Sequence, residues 1–372
     1  MGTPASRTRV LIVDDSAVMR SLLRSVVCAD AGLEVAGTAA DGASALSCLH
    51  VLRPDLVLLD VEMPVMDGLE TLRELRRRGH KMPVIICSSH TLRGARVTIE
   101  ALAGGASDYV AKPDGQSSRE AATRALAQEL IPRIHALTGS PLPALPAARV
   151  VFPSAPPLRA QPAPAAPAVV AIGVSTGGPA ALDLLLPAFP GNFPLPILIV
   201  QHMPEVFTGL FAERLNNRCR LRVREACEGD PVRAGTVYIA RGNWHMKARS
   251  GSPVTLHLDQ GPPENHCRPS ADALFRSVAG VYGPGALAVV LTGMGSDGLA
   301  GCRLVREQGG SVLAQDEATS IVWGMPGAVV HAGLAHKVLP LDAMVPEILR
   351  MTSRTSSQAR ELPMVSCGQA VR

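Results

Sequence analysis

The feature that most constrains the fold is a proline- and alanine-rich segment at residues 140–168, which interrupts the chain near its middle. It contains 9 Pro and 9 Ala in 29 positions, a composition that favours extended, polyproline-like geometry over a packed core. At about 3.1 Å per residue the segment would reach roughly 90 Å when fully extended. A chain of 372 residues is also long for one ordinary domain. We therefore predict domains at 1–138 and 169–352, a linker at 139–168, and a disordered tail at 353–372.

Before this segment, short apolar runs alternate with amphipathic stretches. The apolar runs predict strands at residues 10–13, 33–38, 56–59, 84–87 and 108–110. Uninterrupted apolar strands separated by helices indicate a parallel sheet that is covered on both faces. Right-handed crossovers then place the carboxyl ends of all strands at one edge of the sheet. From Val169 the alternation resumes, so the second half is predicted to be another α/β domain, three-layered and with a mainly parallel sheet.

Composition excludes several classes of protein. The hydrophobic fraction of 47% suffices for buried cores, and the net charge of +4, with one basic triplet at residues 76–78, argues against nucleic-acid binding. The eight cysteines show no metal-type or redox-type spacing, so free thiols in a reducing compartment are expected. Neither an apolar run of about 18 residues nor a signal sequence is evident, so we expect a cytoplasmic protein that does not insert into membranes.

Polar residues follow successive strands of the first half. Asp14 and Asp15 follow the first predicted strand, Asp60 the third, Ser88 the fourth and Lys112 the fifth. Three carboxylates that meet at one sheet edge repel each other and need a cation, and oxygen ligands suit Mg²⁺. A metal-shielded carboxylate can attack a phosphoryl group to form an aspartyl phosphate. The lysine would pair with the phosphate charge, and the serine hydroxyl would hydrogen-bond a phosphate oxygen.

Residues 9–113 resemble the receiver domain of bacterial response regulators. The resemblance lies in the segments at residues 13–16, 59–68, 88–89 and 111–113. It implies a flavodoxin-like fold and phosphorylation of Asp60 by a histidine kinase. It also implies a Mg²⁺ site formed by Asp14, Asp15, Asp60 and the carbonyl of Glu62, and a switch formed by Ser88, Tyr109 and Lys112. For Tyr109, ordinary packing at the strand edge is an alternative interpretation.

The second half carries the pattern G-x-S-x-G at residues 173–177, at a predicted strand-to-helix turn. Glycines let the backbone turn sharply and lift the hydroxyl of Ser175 off the end of the strand. Amides at the start of the following helix can stabilise a developing oxyanion. The pattern alone leaves a second possibility open, because glycine-rich turns with a serine also bind phosphate groups.

Two further residues follow predicted strands of the same domain. His202 comes directly after an apolar run, and Asp297 lies in a glycine-rich loop after another. A neutral imidazole at this edge can take a proton from Ser175, and a carboxylate can orient the imidazole. The alternatives are a packed histidine and an aspartate that caps the helix predicted from Gly298. The order Ser, His, Asp differs from that of the α/β-hydrolase fold, so a different serine-hydrolase fold is predicted.

Residues 169–350 resemble the catalytic domain of the chemotaxis protein-glutamate methylesterase family. The resemblance lies in the segments at residues 172–179, 200–204, 268–275, 291–298, 314–316 and 322–326. It implies removal of methyl groups from glutamate γ-methyl esters of chemoreceptors and deamidation of receptor glutamines. Ser175 would then be the nucleophile, His202 the base and Asp297 the residue that orients the base.

The resemblance also bears on residues around this predicted triad. The backbone amide of Met294 would help to form an oxyanion hole. Thr176 would either support His202 or cap the following helix. Asn265 and Arg268 would either line the substrate groove or hold the structure together.

The combination of the two predicted sites indicates a hydrolase that is switched by phosphorylation. Chemoreceptors would be the substrates, a histidine kinase the phosphodonor, and hydrolysis itself would need no cofactor. Two other functions remain open from the sequence: a non-catalytic signalling module under phosphorylation control, and a related esterase of a receptor system outside chemotaxis.

Overall fold

The computed structural model describes residues 7–89, 91–113, 118–139 and 165–358, except for the side chains of 354–358. Most of the predicted linker, 140–164, and residues 359–372 of the predicted tail lie outside the described residues. None of the helices in these described ranges has the length and apolar character needed to cross a membrane.

The first domain contains five strands that alternate with five helices. The strands are β1 (Thr8–Val13), β2 (Leu33–Ala39), β3 (Leu56–Asp60), β4 (Val84–Ser88) and β5 (Asp108–Ala111). The helices are α1 (Ala17–Cys28), α2 (Gly42–Leu52), α3 (Gly68–Arg77), α4 (Leu92–Ala103) and α5 (Arg119–Thr138). All strands are parallel, in the order β2-β1-β3-β4-β5. This is the flavodoxin-like doubly wound order, which confirms the fold class predicted for the first half.

Local sequence explains where these elements begin. The side chain of Asp67 accepts a hydrogen bond from the amide of Glu70, and the side chain of Glu70 accepts one from the amide of Asp67, so a capping box starts α3. The strands β3 and β4 are buried along their whole length, as expected for a parallel sheet with helices on both faces. The polar residues at their carboxyl ends therefore emerge together at one edge.

The second domain is also α/β. Its elements, in chain order, are β6 (Val169–Val174), α6 (Gly178–Leu185), β7 (Ile197–Gln201), α7 (Glu205–Asn216), β8 (Arg222–Glu225), β9 (Thr236–Ile239), β10 (His245–Arg249), β11 (Thr255–Asp259), α8 (Ala271–Tyr282), β12 (Ala286–Val290), α9 (Leu299–Glu307), β13 (Ser311–Gln315), α10 (Met325–His331), β14 (Lys337–Leu339) and α11 (Leu341–Gln358). A seven-stranded sheet has the order β14-β13-β12-β6-β7-β9-β8, and β10 and β11 form a separate antiparallel pair.

The strand pairs of the large sheet are parallel, which confirms the predicted class of this domain. The sequence predicts strands at 169–174, 195–201, 236–240, 287–291 and 311–314, and helices at 180–188, 206–216, 270–281, 298–307 and 343–351. It does not predict the strands β8, β10, β11 and β14 or the helix α10. These strands are short, and β8, with the sequence Arg-Val-Arg-Glu, lies at an edge of the sheet. Helix α11 ends at Gln358, beyond the predicted start of the tail at 353.

The strand order decides where the predicted catalytic residues come together. Strand β6 lies between β7 and β12. The strands that follow β6 in the chain are therefore first added on one side of it, from β7, and later on the other side, from β12. Such a topological switch point opens a crevice at the carboxyl ends of the strands, where ligands bind in open α/β sheets. Ser175 directly follows β6, His202 directly follows β7, and Asp297 lies in the loop after β12.

Candidate active site and phosphoacceptor site

The turn after β6 presents Ser175 at the edge of the sheet. Gly177 has a φ of 78°, in the left-handed region that favours glycine. A Cβ on Gly177 would lie 2.7 Å from the Cβ of Ile321, and one on Gly178 would lie 2.0 Å from Oε1 of Gln201. The Nε2 of Gln201 donates a hydrogen bond of 3.0 Å to the carbonyl of Ser175. The glycines of the sequence pattern are therefore required by this turn, and the serine is partly exposed.

His202 and Asp297 form a hydrogen-bonded pair. The distance between Nε2 of His202 and Oδ2 of Asp297 is 2.8 Å. Asp297 is 2% exposed and accepts further hydrogen bonds from the Ser270 hydroxyl and from the amide of Ala271 at the start of α8. Burial alone would raise the pKa of the Asp297 carboxyl, but the hydrogen bonds from His202, Ser270 and the Ala271 amide hold it well below its usual range. The carboxylate is thus kept ionised beside the imidazole.

These contacts separate the two interpretations of Asp297 that the sequence leaves open. The cap of α9 is Gly298, and no side chain caps that helix. Asp297 instead accepts hydrogen bonds from the amides of Ala271 and Asp272 at the N-terminus of α8, where the helix dipole favours negative charge. The aspartate therefore hydrogen-bonds to the His202 ring and caps a helix that is not its own.

The imidazole of His202 has a second neighbour, the thiol of Cys267. The Sγ of Cys267 lies 3.5 Å from Nδ1 of His202. Burial alone would lower the pKa of His202, but the hydrogen bond to Asp297 and the contact with Cys267 outweigh it and raise the pKa to about 9. Both contacts therefore favour the charged form of the ring.

Ser175 lies next to this pair without joining it. The His202 amide donates a hydrogen bond of 3.2 Å to the carbonyl of Val174, the residue before Ser175. Ser175 and His202 therefore lie at adjoining strand ends. Within the described ranges, no hydrogen bond joins the Ser175 hydroxyl to the His202 ring. The structure brings His202 and Asp297 into contact and puts Ser175 beside them at the same edge.

The loop after β12 closes over the serine turn. A Cβ on Gly293 would lie 2.9 Å from the Cβ of Ser175, so the loop backbone is close to the predicted nucleophile. The next residue, Met294, is 37% exposed. In the described part of the chain, the amides of Met294 and Thr176 donate to no acceptor. One of these amides directly follows Ser175 and the other directly follows Gly293, so both meet one requirement of an oxyanion hole, a backbone donor without an internal acceptor.

Neither predicted role of the Thr176 side chain is observed. Its hydroxyl donates a hydrogen bond of 2.9 Å to Oδ2 of Asp108 in the first domain. It does not bond to His202, and α6 is capped at Gly177 without any side-chain hydrogen bond. Sequence patterns give no sign that another domain covers this turn, and a supporting role for Thr176 in catalysis stays a prediction.

Asn265 and Arg268 make structural contacts. The Asn265 amide group donates to the carboxylates of Asp272 and Asp297, at 2.8 and 3.0 Å. The Arg268 guanidinium donates to the side chain of Asn243 and to the carbonyl of Gly261. Of the two roles that the sequence leaves open for this pair, these contacts favour the structural one.

The two domains pack directly against each other beside Ser175. The ring of Tyr109 is 6% exposed and stacks on Phe207 of α7, with centroids 4.8 Å apart and an interplanar angle of 29°. Asp108, which accepts a hydrogen bond from Thr176, also accepts one of 3.2 Å from the Arg133 guanidinium. Helix α4 packs against α6 and α7. The predicted switch tyrosine is therefore part of the domain interface, and no signal in the sequence singled out Asp108 or Phe207.

The carboxyl ends of the first sheet bring the predicted phosphoacceptor residues together. Nζ of Lys112 lies 2.8 Å from Oδ2 of both Asp14 and Asp60, and both aspartates are buried. Asp15 is exposed, but its carboxylate comes within 4.8 Å of the other two. Burial raises the pKa of Asp60, and Lys112 counteracts this. Three carboxylates around one ammonium group leave negative charge in excess, so the cluster fits a hard divalent cation.

Ser88 and Glu62 are the remaining predicted residues of the phosphoacceptor site. The Ser88 side chain is fully buried, and its hydroxyl donates a hydrogen bond of 3.2 Å to the carbonyl of Ser89. The Glu62 side chain is half exposed and pairs with Arg93 at 3.3 Å. The Glu62 carboxylate is therefore engaged by an arginine at the surface, and a metal-binding role of the Glu62 carbonyl stays a prediction.

Together the fold and the two sites define a response regulator, in which a receiver domain is joined to a catalytic domain. The family model of the response regulator receiver domain matches residues 10–123, and the model described as CheB methylesterase matches residues 170–348. The chain belongs to the CheB methylesterase family.

Relatives support this assignment over most of the chain. A Nocardioides protein named protein-glutamate methylesterase/protein-glutamine glutaminase is 48% identical over 93% of this chain and 96% of its own length. A protein of the same name from Trichodesmium erythraeum is 46% identical over 92% of this chain and 98% of its own length. Among solved structures, the Thermotoga maritima CheB methylesterase catalytic domain is 41% identical, with a TM-score of 0.49, and covers 50% of this chain and 98% of that one.

Proposed function

We propose that this protein is a phosphorylation-activated hydrolase of the cytoplasm. Its substrates are glutamate γ-methyl esters of chemoreceptors, from which it releases methanol, and receptor glutamines, which it converts to glutamates. The observation that carries the proposal is the ionised Asp297 paired with His202, beside Ser175 at the switch point of the sheet. The names of the relatives support protein glutamate esters and protein glutamines as the substrate class, and chemoreceptors as the substrate proteins are part of the proposal.

The first chemical step forms an acyl-enzyme. The Ser175 oxygen attacks the ester carbonyl carbon while Nδ1 of His202 accepts the serine proton. Asp297 holds the other ring nitrogen and stabilises the imidazolium. Negative charge that develops on the carbonyl oxygen is stabilised by the amides of Met294 and Thr176, which are free in the described part of the chain. The His202 proton then passes to the departing methoxide, and methanol leaves.

The second step returns the enzyme to its starting state. Water attacks the acyl-enzyme carbonyl, His202 accepts a proton from that water, and the Ser175 oxygen leaves with a proton from the imidazolium. The product is a glutamate carboxylate. With a glutamine substrate the same sequence releases ammonia in place of methanol. No metal-dependent step is required for either reaction.

The receiver domain controls access to these residues. In the closed form, the Asp108–Thr176 hydrogen bond and the Tyr109–Phe207 stack hold the receiver against the residue that follows the nucleophile. The His202 ring faces Cys267 in this form. A conformational change that frees the ring for Ser175 is therefore needed for catalysis. Phosphorylation would bias the protein toward the open, active form.

Asp60 is the proposed phosphoacceptor, and a histidine kinase is the proposed donor. Asp14, Asp15, Asp60 and the Glu62 carbonyl would hold Mg²⁺, which offsets the negative charge of carboxylate and phosphoryl group during transfer. Lys112, which already pairs with Asp14 and Asp60, would pair with the phosphoryl oxygens. Ser88 would turn its hydroxyl to them, and Tyr109 would transmit the change to the interface.

The decisive test is methanol release from methylated receptor membranes by the full-length protein. Release is expected without phosphodonor and is expected to rise when a small-molecule phosphodonor and Mg²⁺ are added. An Asp60→Asn variant should keep the basal rate and lose the increase. No methanol release from any receptor preparation would refute the proposed hydrolysis. An increase that persists in the Asp60→Asn variant would refute the proposed switch.

A further inference from the structure

One thiol reaches the imidazole that the proposed reaction depends on. The Sγ of Cys267 lies 3.5 Å from Nδ1 of His202 and 3.4 Å from the carbonyl of Asn265. The cysteine is partly exposed to solvent. The hydrolysis proposed above gives this thiol no task. The ligand atoms of Cys267, His202 and Asp297 lie within 4.8 Å of one another.

The backbone holds Cys267 firmly in this position. Glu264 and Cys267 exchange two backbone hydrogen bonds, of 3.0 and 2.8 Å. The residues between them, Asn265 and His266, both have positive φ angles, of 49° and 63°, which is the geometry of a tight two-residue turn. The Asn265 side chain ties the turn to Asp297, and Glu264 pairs with Arg276. The thiol is thus presented to the ring by a rigid support.

The distance between the two ligand atoms suits a tetrahedral metal ion. With a Zn–S bond of about 2.3 Å, a Zn–N bond of about 2.05 Å and a tetrahedral angle, the sulfur and nitrogen atoms stand about 3.6 Å apart. The observed separation is 3.5 Å. Sulfur and imidazole donors favour Zn²⁺ and similar thiophilic cations over Mg²⁺ or Ca²⁺.

Asp297 suits this arrangement as the residue that orients the ring. Its Oδ2 accepts from Nε2 of His202 and from the amide of Ala271, and its Oδ1 accepts from Ser270 and Asn265. Both oxygens are therefore occupied by donors. Histidines that bind metals commonly donate their second ring nitrogen to a carboxylate, which fixes the ring. His202 meets that condition and offers Nδ1 on the side of the thiol.

We propose that Cys267 and His202 form a binding site for Zn²⁺ or a similar thiophilic divalent cation, which inhibits hydrolysis reversibly. The cation bonds to the thiolate and to Nδ1, so the thiol proton and any proton on Nδ1 are released to solvent. Water fills the remaining positions. A metal on Nδ1 occupies the lone pair that must accept the Ser175 proton, and hydrolysis stops. Removal of the cation by a chelator restores it.

Two readouts test the site, and one of them is independent of the proposed hydrolysis. Co²⁺ is added to the full-length protein, and thiolate ligation gives a sulfur-to-cobalt charge-transfer absorption. In parallel, Zn²⁺ is titrated into the methanol-release assay, and each protein is normalised to its own rate with chelator. The variants are Cys267→Ser and, as a matched control, Cys227→Ser, which removes a cysteine that is exposed.

The wild type and Cys227→Ser should show the absorption and equal sensitivity to Zn²⁺. Cys267→Ser should lose the absorption and need at least about 10- to 100-fold more Zn²⁺ for half inhibition, because that range is typical of losing a supporting group and Cys267 is a direct ligand. His202→Ala, tested by absorption alone, should also weaken Co²⁺ binding. Absorption or Zn²⁺ sensitivity that persists unchanged in Cys267→Ser overturns the proposal. Failure of methanol release in every protein with the absorption intact would instead count against the proposed hydrolysis.

Discussion

The hydrogen bond between Thr176 and Asp108 should help to keep the unphosphorylated protein closed. Both residues are buried, at 5% and 6% exposure, and the bond joins a hydroxyl to a carboxylate over 2.9 Å. A hydrogen bond to a charged group contributes about 1.5–3 kcal/mol. Because 1.4 kcal/mol corresponds to a factor of about ten in an equilibrium constant, Thr176→Val should shift the ratio of closed to open protein by roughly 10- to 150-fold.

The assay is the initial rate of methanol release without phosphodonor. The basal rate of Thr176→Val should rise by up to that factor, provided that the closed form dominates in the wild type. The rate with saturating phosphodonor should change far less, so the activation ratio falls. Amide hydrogen exchange of α4 and α7 should become faster, because these helices face each other across the interface.

Thr176 also adjoins the nucleophile, so a variant on the other side of the interface is needed. Asp108→Asn keeps an oxygen acceptor but removes the charge, and it should also raise the basal rate. If the hydrogen bond is the coupling, the double variant should be less open than the sum of the two single effects predicts, with an interaction of about 0.5–3 kcal/mol. A basal rate that rises in neither single variant, with exchange at α4 and α7 unchanged, would refute the reasoning.

Three further predictions concern the interface, the base and the serine turn. Phe207→Ala should lower the free energy of unfolding by about 3–5 kcal/mol and raise the basal rate of methanol release. The control Phe193→Ala removes a buried ring that packs on Phe189, and it should lower stability without raising the basal rate. Equal basal rates in the two variants would argue against a role of the Tyr109–Phe207 stack in closure. Asp297→Asn should reduce kcat by roughly 10³- to 10⁴-fold, measured as methanol release with phosphodonor, and a loss under tenfold would contradict its orienting role. Gly177→Ala should cost at least about 1 kcal/mol in chemical unfolding, because φ is 78° and the new Cβ would lie 2.7 Å from Ile321; an unchanged midpoint would contradict the described turn.

The sequence predicts the elements that follow from local patterns. Val169–Val174 is a continuous apolar run, and the structure has β6 at the same residues. The edge positions of Asp60, Ser175 and His202 follow from where such runs end. In contrast, β10 and β11 mix polar and apolar residues, with the sequences His-Met-Lys-Ala-Arg and Thr-Leu-His-Leu-Asp. They lack an uninterrupted apolar run, and they pair with each other outside the large sheet.

What the sequence does not predict depends on contacts between distant parts of the chain. Cys267 lies 65 positions from His202, and the turn at residues 264–267 presents its thiol to the ring. The hydrogen bond from Thr176 reaches Asp108 across 68 positions and a domain boundary. Asp297 precedes α9 in sequence but caps α8 in space. Such pairings depend on how the elements pack, and they cannot be predicted from the spacing of residues along the chain.

The central claim is that Ser175 is the nucleophile beside the His202–Asp297 pair. Its most direct test compares methanol release from methylated receptor membranes by Ser175→Ala and by the control Ser296→Ala, which changes an exposed serine in the neighbouring loop. With phosphodonor present, Ser175→Ala should lose several orders of magnitude in rate, and Ser296→Ala should release methanol at close to the wild-type rate. Near-normal release by a folded Ser175→Ala protein would contradict the account.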